Sequence, residues 1–391
     1  SINPTADVAA GTIVDDDTVP LIEDAQSRVS EEGLPAGIAD ALGSSHSNDL
    51  TDSATDSSGA LPITRNGSAP LTIELINPGS SMLGATNLTW AYGTSQAVLI
   101  GSDAGGEVIR VTLNGGTTAI GTSGSSVPYS VVLSQPVSHL LQGQGTAGED
   151  IASLSLTVRI SDGVNPADDS TITVTVEDDS PVITGVLAAD LLTVDESNLA
   201  ANATANFADN FNAAVSYGAD GAGSTGYSLA LSGANVNSGL YALGVGGAAG
   251  AQIVLNQAGN VITGSVGGTD YFTITVNATT GDVTLDQLAA IYHANPGNPD
   301  DSATLSAAAG ALVLRATVTD ADGDVATHSL DLSAGVFSLE DDGPAITAAN
   351  VLAADTLTVD ESNLAANATA NFADNFNAAV SYGADGPGTT G

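Results

Sequence analysis

The most constraining feature of this 391-residue sequence is a long stretch that occurs twice. Residues 186–226 and residues 351–391 are each 41 residues long, differ at three positions and begin 165 residues apart. Near-identity at a fixed spacing indicates tandem duplication, in which each repeat is one structural unit. The sequence therefore predicts a chain of tandem modules, and its length suggests two to three domains.

A shorter acidic signature recurs with almost the same period. Residues 177–184 read EDDSPVIT, residues 340–347 read EDDGPAIT, and residues 15–22 read DDDTVPLI as a looser version. Each copy follows a strand-like run and contains a Pro, which breaks strand pairing. We interpret these signatures as module boundaries. The predicted modules are residues 1–24, the last strand and linker of a preceding module; 25–180 and 181–344, two complete modules; and 345–391, the start of a truncated third module.

Most of the chain is predicted to form short strands separated by turns. Runs of Val, Leu, Ile and Thr that alternate with polar residues are typical of half-buried strands. In the first complete module the predicted strands are 70–76, 87–93, 107–113, 129–134, 153–161 and 170–176. In the second they are 227–232, 252–256, 260–266, 270–277, 281–285, 311–320 and 324–332. One short helical turn is predicted from Asp286 to His293, capped by Asp286. The fold class is all-β, with tandem antiparallel β-sandwich modules joined end to end.

The charge of the chain excludes several functions. There are 45 acidic and 5 basic side chains, a net charge of −40, and no Cys. Nucleic-acid binding needs a basic surface, so we exclude it. Membrane insertion is also excluded, because no apolar run approaches the roughly 20 residues that span a bilayer. Without Cys the chain has neither disulfides nor thiolate metal ligands, so another stabilising device is expected.

The acidic side chains concentrate at the predicted boundaries and in loops expected to face them. Asp320, Asp322 and Asp324 alternate along a turn that contains Gly, a spacing that lets their oxygens converge on one hard cation. Asp162 occupies the matching place in the first module. The candidates at the boundaries are Glu177, Asp178 and Asp179, the pairs Asp195–Glu196 and Asp360–Glu361, and Asp16 and Asp17 in the looser signature; Glu31–Glu32 and Asp168–Asp169 are weaker candidates.

These carboxylates favour Ca²⁺. Unit charges about 4 Å apart repel by about 4 kcal/mol at an effective dielectric near 20, so the boundary acids would push the linker open without a cation. A divalent ion would hold the boundary at one angle. Oxygen ligands favour Ca²⁺ or Mg²⁺ over zinc or copper, and a flexible cage of several carboxylates favours Ca²⁺ over Mg²⁺. The alternative is a solvated acidic surface that confers solubility.

At these residues the sequence resembles the extender repeats of giant bacterial RTX adhesins, which are exported by type I secretion. In the second module the resemblance lies in residues 193–211, 281–302 and 314–332, which read TVDESNLAANATANFADNF, GDVTLDQLAAIYHANPGNPDDS and LRATVTDADGDVATHSLDL. The first module, with residues 30–43 and 156–183, is similar to a related cadherin-like repeat. The resemblance implies immunoglobulin- or cadherin-like sandwiches with Ca²⁺ at their boundaries. The Ca²⁺ ligands that it implies are Glu177, Asp178, Asp179, Asp195, Glu196, Asp320, Asp322, Asp324, Asp341, Asp342, Asp360 and Glu361.

The resemblance also implies a function. Such a chain is expected to be a Ca²⁺-stiffened stalk at the bacterial cell surface, which projects a distal binding domain for adhesion and biofilm formation. Its partners would be neighbouring modules of the same chain. One alternative is an extracellular filament formed by self-association. Another is a carbohydrate-binding or carbohydrate-hydrolysing module, which would need a groove with a carboxylate pair.

The sequence predicts no catalytic residues. The four His residues, His46, His139, His293 and His328, lie in unrelated contexts and do not have the spacing of a metal site, so we interpret them as structural. The chain also lacks the G-x-S-x-G turn that carries a nucleophilic Ser. We therefore expect that the protein is not an enzyme.

Overall fold

The computed structural model describes residues 18–39, 49–66, 70–119, 125–139 and 150–387. The chain divides into two compact units. The first unit comprises residues 1–181 together with two short segments, 216–223 and 319–325, and the second unit comprises the remaining residues.

The first unit is built from strands. In chain order they are β1 (Thr18–Ile22), β2 (Ala25–Ser30), β3 (Thr55–Asn66), β4 (Leu71–Leu75), β5 (Ser80–Leu83), β6 (Thr86–Tyr92), β7 (Val98–Ser102), β8 (Glu107–Leu113), β9 (Thr118–Ala119), β10 (Ser125–Leu133), β11 (Ile151–Ser161) and β12 (Asp168–Glu177). A 3-10 turn, Glu31–Gly33, follows β2.

Two sheets form a sandwich in the first unit. One has the strand order β1-β3-β10-β8-β7-β6-β5 and the other β2-β12-β11-β4-β9. Alternate side chains of both sheets are buried in one hydrophobic core, which contains Tyr129, Leu61 and Ile73, as period-2 strands with one apolar face require. The pairing is antiparallel except between β2 and β12, which run parallel from Ala25↔Ile172 to Ser30↔Glu177.

The remaining elements lie mostly in the second unit. The strands are β13 (Val182–Ile183), β14 (Leu192–Asp195), β15 (Ala203–Asn206), β16 (Val215–Ser216), β17 (Ala222–Leu231), β18 (Val236–Leu243), β19 (Ala249–Ala258), β20 (Val261–Val266), β21 (Thr269–Val276), β22 (Asp282–Gln287), β23 (Ser302–Ser306), β24 (Leu312–Asp320), β25 (Val325–Asp331), β26 (Ala334–Glu340), β27 (Ala345–Ile346) and β28 (Val380–Ser381). The helical elements are α1 (Asp209–Asn212) and the 3-10 turns Glu196–Asn198, Ala348–Asn350, Glu361–Asn363 and Phe372–Asn375. Of these strands, β16, β17, β24 and β25 cross positions at which the chain changes unit.

The second unit has its own core. Its main sheet has the order β15-β22-β21-β20-β19-β18, and two three-stranded sheets have the orders β14-β26-β23 and β17-β24-β25. Phe207, Phe211, Phe272 and Phe337 are fully buried within one hydrophobic cluster. A parallel pair occurs here as well: β14 runs alongside β26 from Leu192↔Phe337 to Asp195↔Glu340.

The predicted all-β fold class is confirmed, and each predicted strand overlaps a strand of the structure. The helical turn predicted from Asp286 to His293 is wrong. Asp286 pairs with Thr273 inside the ladder between β21 and β22, and Val283, Leu285 and Gln287 are buried on alternate positions. The strand periodicity of these residues outweighs the capping preference of Asp286.

Residues 18–24, which the sequence assigns to a preceding module, contribute to the first unit. β1 pairs with β3, and Asp24 accepts hydrogen bonds from Ser170 and from the backbone N–H of Thr171. At the other end of the chain, β27 pairs with β28 within the second unit. None of the described helices is long and apolar enough to cross a membrane.

Candidate metal centre

A group of acidic side chains in the first unit draws on several distant parts of the chain. This first acidic cluster consists of Glu31, His139, Asp150, Asp178, Asp179, Asp220, Asp320, Asp322 and Asp324. All of them belong to the first unit, which includes the segments 216–223 and 319–325. Three sets have ligand-capable atoms within 4.8 Å of one another: Glu31–His139–Asp178, Asp150–Asp178–Asp324 and Asp178–Asp220–Asp322. Asp178 belongs to all three sets and is the centre of the cluster.

Glu31 is positioned by the end of β2. The strand passes into the 3-10 turn through its N-cap, Ser30, whose hydroxyl accepts from the backbone N–H of Glu32 at 3.0 Å. Oε1 of the fully buried Glu31 accepts from the backbone N–H of Val137 at 2.8 Å. Burial raises the pKa of Glu31 well above its usual range, and the charge of Asp220 adds to this rise.

Asp178 follows the last residue of β12, and its side chain turns into the cluster. The residue is 1% exposed. Its Oδ1 accepts from the backbone N–H of Asp179 at 2.9 Å and lies 3.2 Å from Nδ1 of His139. Burial raises the pKa of Asp178 to about 10, with the nearby charges of Asp322 and Asp324 contributing in the same direction.

The turn between β24 and β25 supplies three carboxylates. Oδ1 of Asp320 accepts from the backbone N–H groups of Gly323 and Asp324 at 2.9 and 2.7 Å, which closes the turn. Gly323 has a φ of 123°, a conformation that glycine adopts readily. Oδ2 of Asp322 accepts from the backbone N–H of His139 at 3.0 Å. Burial raises the pKa of Asp320 to about 7, and the charge of Asp322 adds to the rise.

Asp179 and Asp220 occupy another side of the cluster. The carboxylate of Asp179 accepts from the backbone N–H of Ile38 at 3.0 Å and from that of Ala219 at 3.0 and 3.1 Å. These bonds fasten residues 38 and 219 to the end of β12. Burial raises the pKa of Asp220 to about 8, with repulsion from Asp322 and Asp178 as further causes.

The first acidic cluster fits a hard divalent cation. Five buried carboxylate oxygens of this cluster have no hydrogen-bond partner among the described residues: Oε2 of Glu31, Oδ2 of Asp178, Oδ2 of Asp220, Oδ2 of Asp320 and Oδ1 of Asp322. Buried anions without partners are costly, and the raised pKa values of Glu31, Asp178, Asp220 and Asp320 express that cost as retained protons. A divalent cation would offset it and return the carboxylates to their ionised forms. Oxygen ligands of this kind suit Ca²⁺.

The second unit contains a related group. This second acidic cluster consists of Glu196, His293, Asp301, Asp341, Asp342 and Asp385. Glu196 begins the 3-10 turn after β14, is 2% exposed, and accepts from the backbone N–H of Ile291 at 2.9 Å and from Nε2 of Gln287 at 2.8 Å. Burial raises the pKa of Asp385 to about 6, together with repulsion from Glu196, Asp341 and Asp342.

The two clusters share several equivalent contacts. In each, a buried Glu starts the 3-10 turn that follows the parallel strand, and it accepts from the backbone N–H of an apolar residue two positions before a His. In each, the first Asp of the EDD signature donates its backbone N–H to the carbonyl of another Asp, Asp150 or Asp301. The second Asp accepts from the backbone N–H of an Ala in the duplicated stretch, Ala219 or Ala384. The first cluster additionally has Asp320, Asp322 and Asp324.

Several predicted ligands lie elsewhere. Glu177 is fully buried but faces Arg28 at 2.5 Å and accepts from the backbone N–H groups of Leu50 and Thr51. Asp162 accepts from the backbone N–H groups of Val164 and Asn165 and so caps its own turn. Asp195 and Asp360 are N-caps of 3-10 turns and accept from the N–H groups of Ser197 and Ser362. Glu361 is exposed, and Asp16 and Asp17 lie outside the described residues.

Sequence reasoning missed four acids and two histidines of the clusters: Asp150, Asp220, Asp301, Asp385, His139 and His293. Asp220 and Asp385 are the same residue of the duplicated stretch, so the duplication could have indicated them. The histidines lie 39 and 48 residues before the first Asp of their EDD signatures, and this unequal spacing hides their equivalence.

A pocket beside β2 bears on the hydrolase alternative. It is lined by polar residues that include Arg28, Thr175 and Asp56, which is its one carboxylate. Glycoside hydrolysis requires a carboxylate pair across the scissile bond, so this pocket does not supply that machinery.

Comparison with known protein families finds a match to part of the chain. Residues 191–333 match DUF5801, a domain of unknown function. The DUF5801 region thus includes Glu196, His293 and the turn that carries Asp320, Asp322 and Asp324. No curated protein matches the sequence.

Several solved structures share a distant likeness with most of the chain. CfaE, the adhesive subunit of the CFA/I fimbria of enterotoxigenic Escherichia coli, is 9% identical, with 83% of this chain and 99% of that chain covered and a TM-score of 0.26. Human CDH23 EC21-23 is 12% identical, with coverages of 88% and 78% and a TM-score of 0.23. The CupB6 tip adhesin from Pseudomonas aeruginosa is 12% identical, with coverages of 78% and 94% and a TM-score of 0.27. At these scores we draw no functional argument from them.

Proposed function

We propose that this chain is a non-catalytic structural segment of a large extracellular bacterial adhesin, and that Ca²⁺ bound at the first acidic cluster stabilises it. The role would be that of a stalk that carries a distal binding domain for adhesion and biofilm formation. The sequence motifs that resemble RTX adhesin extenders support this proposal, as does the duplication of a 41-residue stretch. The lack of Cys is consistent with a metal ion as the stabilising device.

The observation that carries the proposal is the convergence of carboxylates on Asp178. Asp220 and Asp322 approach it from parts of the chain more than 40 and 140 residues away. Arg28, Arg110 and Arg159 form ion pairs with Glu177, Glu107 and Asp169, respectively, and none of these three acids belongs to the first acidic cluster. His139 brings a basic group to the first acidic cluster, with its Nδ1 within 4 Å of Glu31, Asp178 and Asp322. Such a surplus of buried negative charge requires a cation or bound protons.

The residues that would hold the ion are Asp178, Asp220, Asp320, Asp322 and Asp324. Bound Ca²⁺ would supply the positive charge that allows these buried carboxylates to be ionised together. Around the ion, the carboxylate of Asp179 accepts from the backbone N–H groups of Ile38 and Ala219 and so holds these two segments in place, and Asp320 closes its own turn by accepting from the backbone N–H of Asp324. Because segments 216–223 and 319–325 continue into β17, β24 and β25, an ion held by their carboxylates would restrict the motion of those segments.

Thermal unfolding tests the proposal. The full chain, stripped of metal, is melted in EGTA and in CaCl2 by circular dichroism. An ion that binds only the folded form stabilises by about 2.7 kcal/mol at a hundredfold excess over its Kd, so the Tm should rise clearly with Ca²⁺. Asp322→Asn should remove most of this rise. Asp270→Asn is the matched control, because it makes the same change at an exposed position of β21.

Two results would contradict the proposal. One is a Tm that does not respond to chelator. The other is an equal Ca²⁺ response in D322N and D270N, which would indicate diffuse screening of surface charge rather than a site. Small-angle scattering of the same samples tests the stiffening role: a maximum dimension and flexibility that are the same with Ca²⁺ and with EGTA would argue against it.

A further inference from the structure

Each acidic cluster contains a buried histidine whose role Ca²⁺ does not explain. His139 is 3% exposed and His293 is 8% exposed, so both are more than nine-tenths buried. Among the described residues, Nδ1 of His139 and Nδ1 of His293 have no hydrogen-bond partner. A buried imidazole nitrogen without a partner is costly. The same cost appears in two places in this chain, so it calls for a common cause.

The surroundings of His139 resemble the outer shell of a metal-ligating histidine. Its Nδ1 lies 3.2 Å from Oδ1 of Asp178 and 3.7 Å from Oε1 of Glu31. Its Nε2 lies 3.4 Å from the carbonyl oxygen of Val176. Metal-bound histidines commonly donate their second ring N–H to a backbone carbonyl, which directs the other nitrogen, as a lone-pair donor, toward the metal.

His293 lies in a related group of side chains in the second unit, but the other ring nitrogen faces the Glu. Its Nε2 lies 3.2 Å from Oε1 of Glu196. Glu196, His293 and Asp341 have ligand-capable atoms within 4.8 Å of one another, as Glu31, His139 and Asp178 do. In both units the carboxylate of the Glu is held by a backbone N–H two residues before the His, at 2.8 and 2.9 Å.

The local sequences that build the two arrangements are dissimilar. Residues 135–141 read QPVSHLL, whereas residues 289–295 read AAIYHAN. The structure nevertheless brings each His to the same Glu and to the first Asp of the EDD signature. Two different sequences that produce one constellation of Glu, His and Asp indicate a specific ligand.

We propose that Glu31–His139–Asp178 and Glu196–His293–Asp341 are two equivalent sites for a divalent transition-metal ion, with Zn²⁺ as the best-fitting ion. Neutral imidazole is a good ligand for Zn²⁺, whereas Ca²⁺ takes oxygen ligands. One imidazole and two carboxylates give Zn²⁺ three protein ligands and leave the fourth position to water or to a neighbouring carboxylate. The inference does not depend on the proposed Ca²⁺ function, although Asp178 would take part in both.

Metal titration of the full chain tests the inference. The metal-free protein is titrated with ZnCl2 by calorimetry in an excess of Ca²⁺, and bound zinc is counted by native mass spectrometry. We expect one Zn²⁺ per triad. His139→Gln and His293→Gln should each lower the affinity of one site by tenfold or more, roughly the scale of losing an interaction that orients a metal ligand. His293→Gln should also keep the Ca²⁺ affinity of the protein within about twofold, since His293 lies outside the first acidic cluster and Ca²⁺ favours oxygen ligands.

His328→Gln is the matched control, because His328 belongs to neither triad. It should bind zinc as the wild type does. X-ray absorption at the zinc edge of the wild-type protein requires no variant, so it remains decisive if a variant fails to fold. It should show imidazole scattering with about one histidine per zinc ion.

The outcomes separate this inference from the proposed function. Zinc binding that is unchanged in H139Q and H293Q, or a zinc spectrum without imidazole scattering, overturns the inference. Ca²⁺-dependent stability without zinc binding also overturns it, while the proposed function stands. Histidine-dependent zinc binding without a Ca²⁺ effect on Tm supports the inference and contradicts the proposed function.

Discussion

Nη1 of Arg28 lies 2.5 Å from Oε1 of Glu177, whereas Asp178, the next residue along the chain, turns into the first acidic cluster. Consecutive side chains of a strand point to opposite faces. Neighbouring acids at the end of β12 therefore have different environments: Glu177 is neutralised by a fixed guanidinium, and Asp178 is surrounded by other carboxylates. The same three-letter signature thus contains an ion-pair residue and a candidate metal ligand.

Arg28→Met should destabilise the first unit. Glu177 is fully buried, so removal of its cation leaves a charge held only by backbone N–H groups. Arg28 is one-third exposed, and the loss should therefore be about 2 kcal/mol, below the 3–5 kcal/mol seen when fully buried pairs are broken. Urea unfolding of the wild type and R28M measures this loss in the free energy of unfolding. The double variant R28M/E177Q should recover much of the loss, because it removes the unpaired charge as well.

Arg159→Met is the control for this prediction. Its pair with Asp169 has the same chemistry but is 44% exposed on both sides, so the variant should cost less than about 1 kcal/mol. Equal losses in R28M and R159M would show that burial of Glu177 has no energetic consequence.

Gly218→Ala should cost more stability than Gly221→Ala. Both glycines have positive φ values, 75° and 80°, so each Ala variant carries roughly the same strain of about 1–2 kcal/mol. An added Cβ at Gly218 would overlap the carboxylate of Asp179, whereas no described atom lies within 4 Å of the equivalent Cβ at Gly221. G218A should therefore lose at least about 1 kcal/mol more, because Asp179 must give up its bond to Ala219. Chemical unfolding in EGTA compares the two, and equal costs would contradict the prediction.

Tyr129 should make the protein sensitive to alkaline pH. Burial raises the pKa of Tyr129 to about 12, with the charge of Asp56 as a second cause. The unfolded side chain ionises near pH 10, so between about pH 10 and 12 the unfolded state loses a proton that the folded state retains. Stability must therefore fall across this window, by up to roughly 3 kcal/mol.

Tyr129→Phe tests the assignment of this alkaline loss. The variant loses the hydrogen bond from the Tyr129 hydroxyl to the carbonyl of Gln26, at a cost of about 1 kcal/mol at neutral pH. Its stability should then decline less than that of the wild type between about pH 10 and 12. Parallel pH profiles for the two proteins would exclude Tyr129 as the cause.

The duplicated stretch offers an internal comparison. Leu192 and Leu357 occupy the same position of the two copies, yet Leu192 is 3% exposed and Leu357 is 49% exposed. Leu192→Ala should cost about 2–5 kcal/mol, as for other buried leucines, whereas Leu357→Ala should stay within about 0.5 kcal/mol. Thermal and urea unfolding of the two variants compare them directly. A larger loss in L357A than in L192A would contradict the burial pattern.

This pair also shows how far the sequence determines the structure. Leu192 lies in β14 because Phe337 of β26 pairs with it, while residues 357–359 have no pairing strand among the described residues. A strand is stable only with a partner and a buried face. The sequence therefore predicts where a strand is possible, as its periodicity did for all thirteen predicted strands, but the partner decides whether the strand forms.

The candidate site was predictable in part, for a similar reason. Asp178 and Asp322 belong to acidic patterns in the sequence, which predicts both as metal ligands. Glu31 and His139 join them only because β2 lies parallel to β12 and because Val137 donates to Glu31. These contacts span more than 100 residues, and no local pattern records them. His139 and His293 lie at unequal distances from their EDD signatures, so the sequence does not show that they are equivalent.

The parallel pairing of β2 with β12 has a mechanical consequence. If the chain is pulled at the start of β2 and the end of β12, two strands that run in the same direction slide along one another, and their six registered pairs resist the load together. Antiparallel neighbours loaded at one end would instead unzip pair by pair. The corresponding clamp in the second unit, β14 against β26, has four registered pairs. Under tension the second unit should therefore unfold at a lower force than the first. The first unit would stay folded while the second extends.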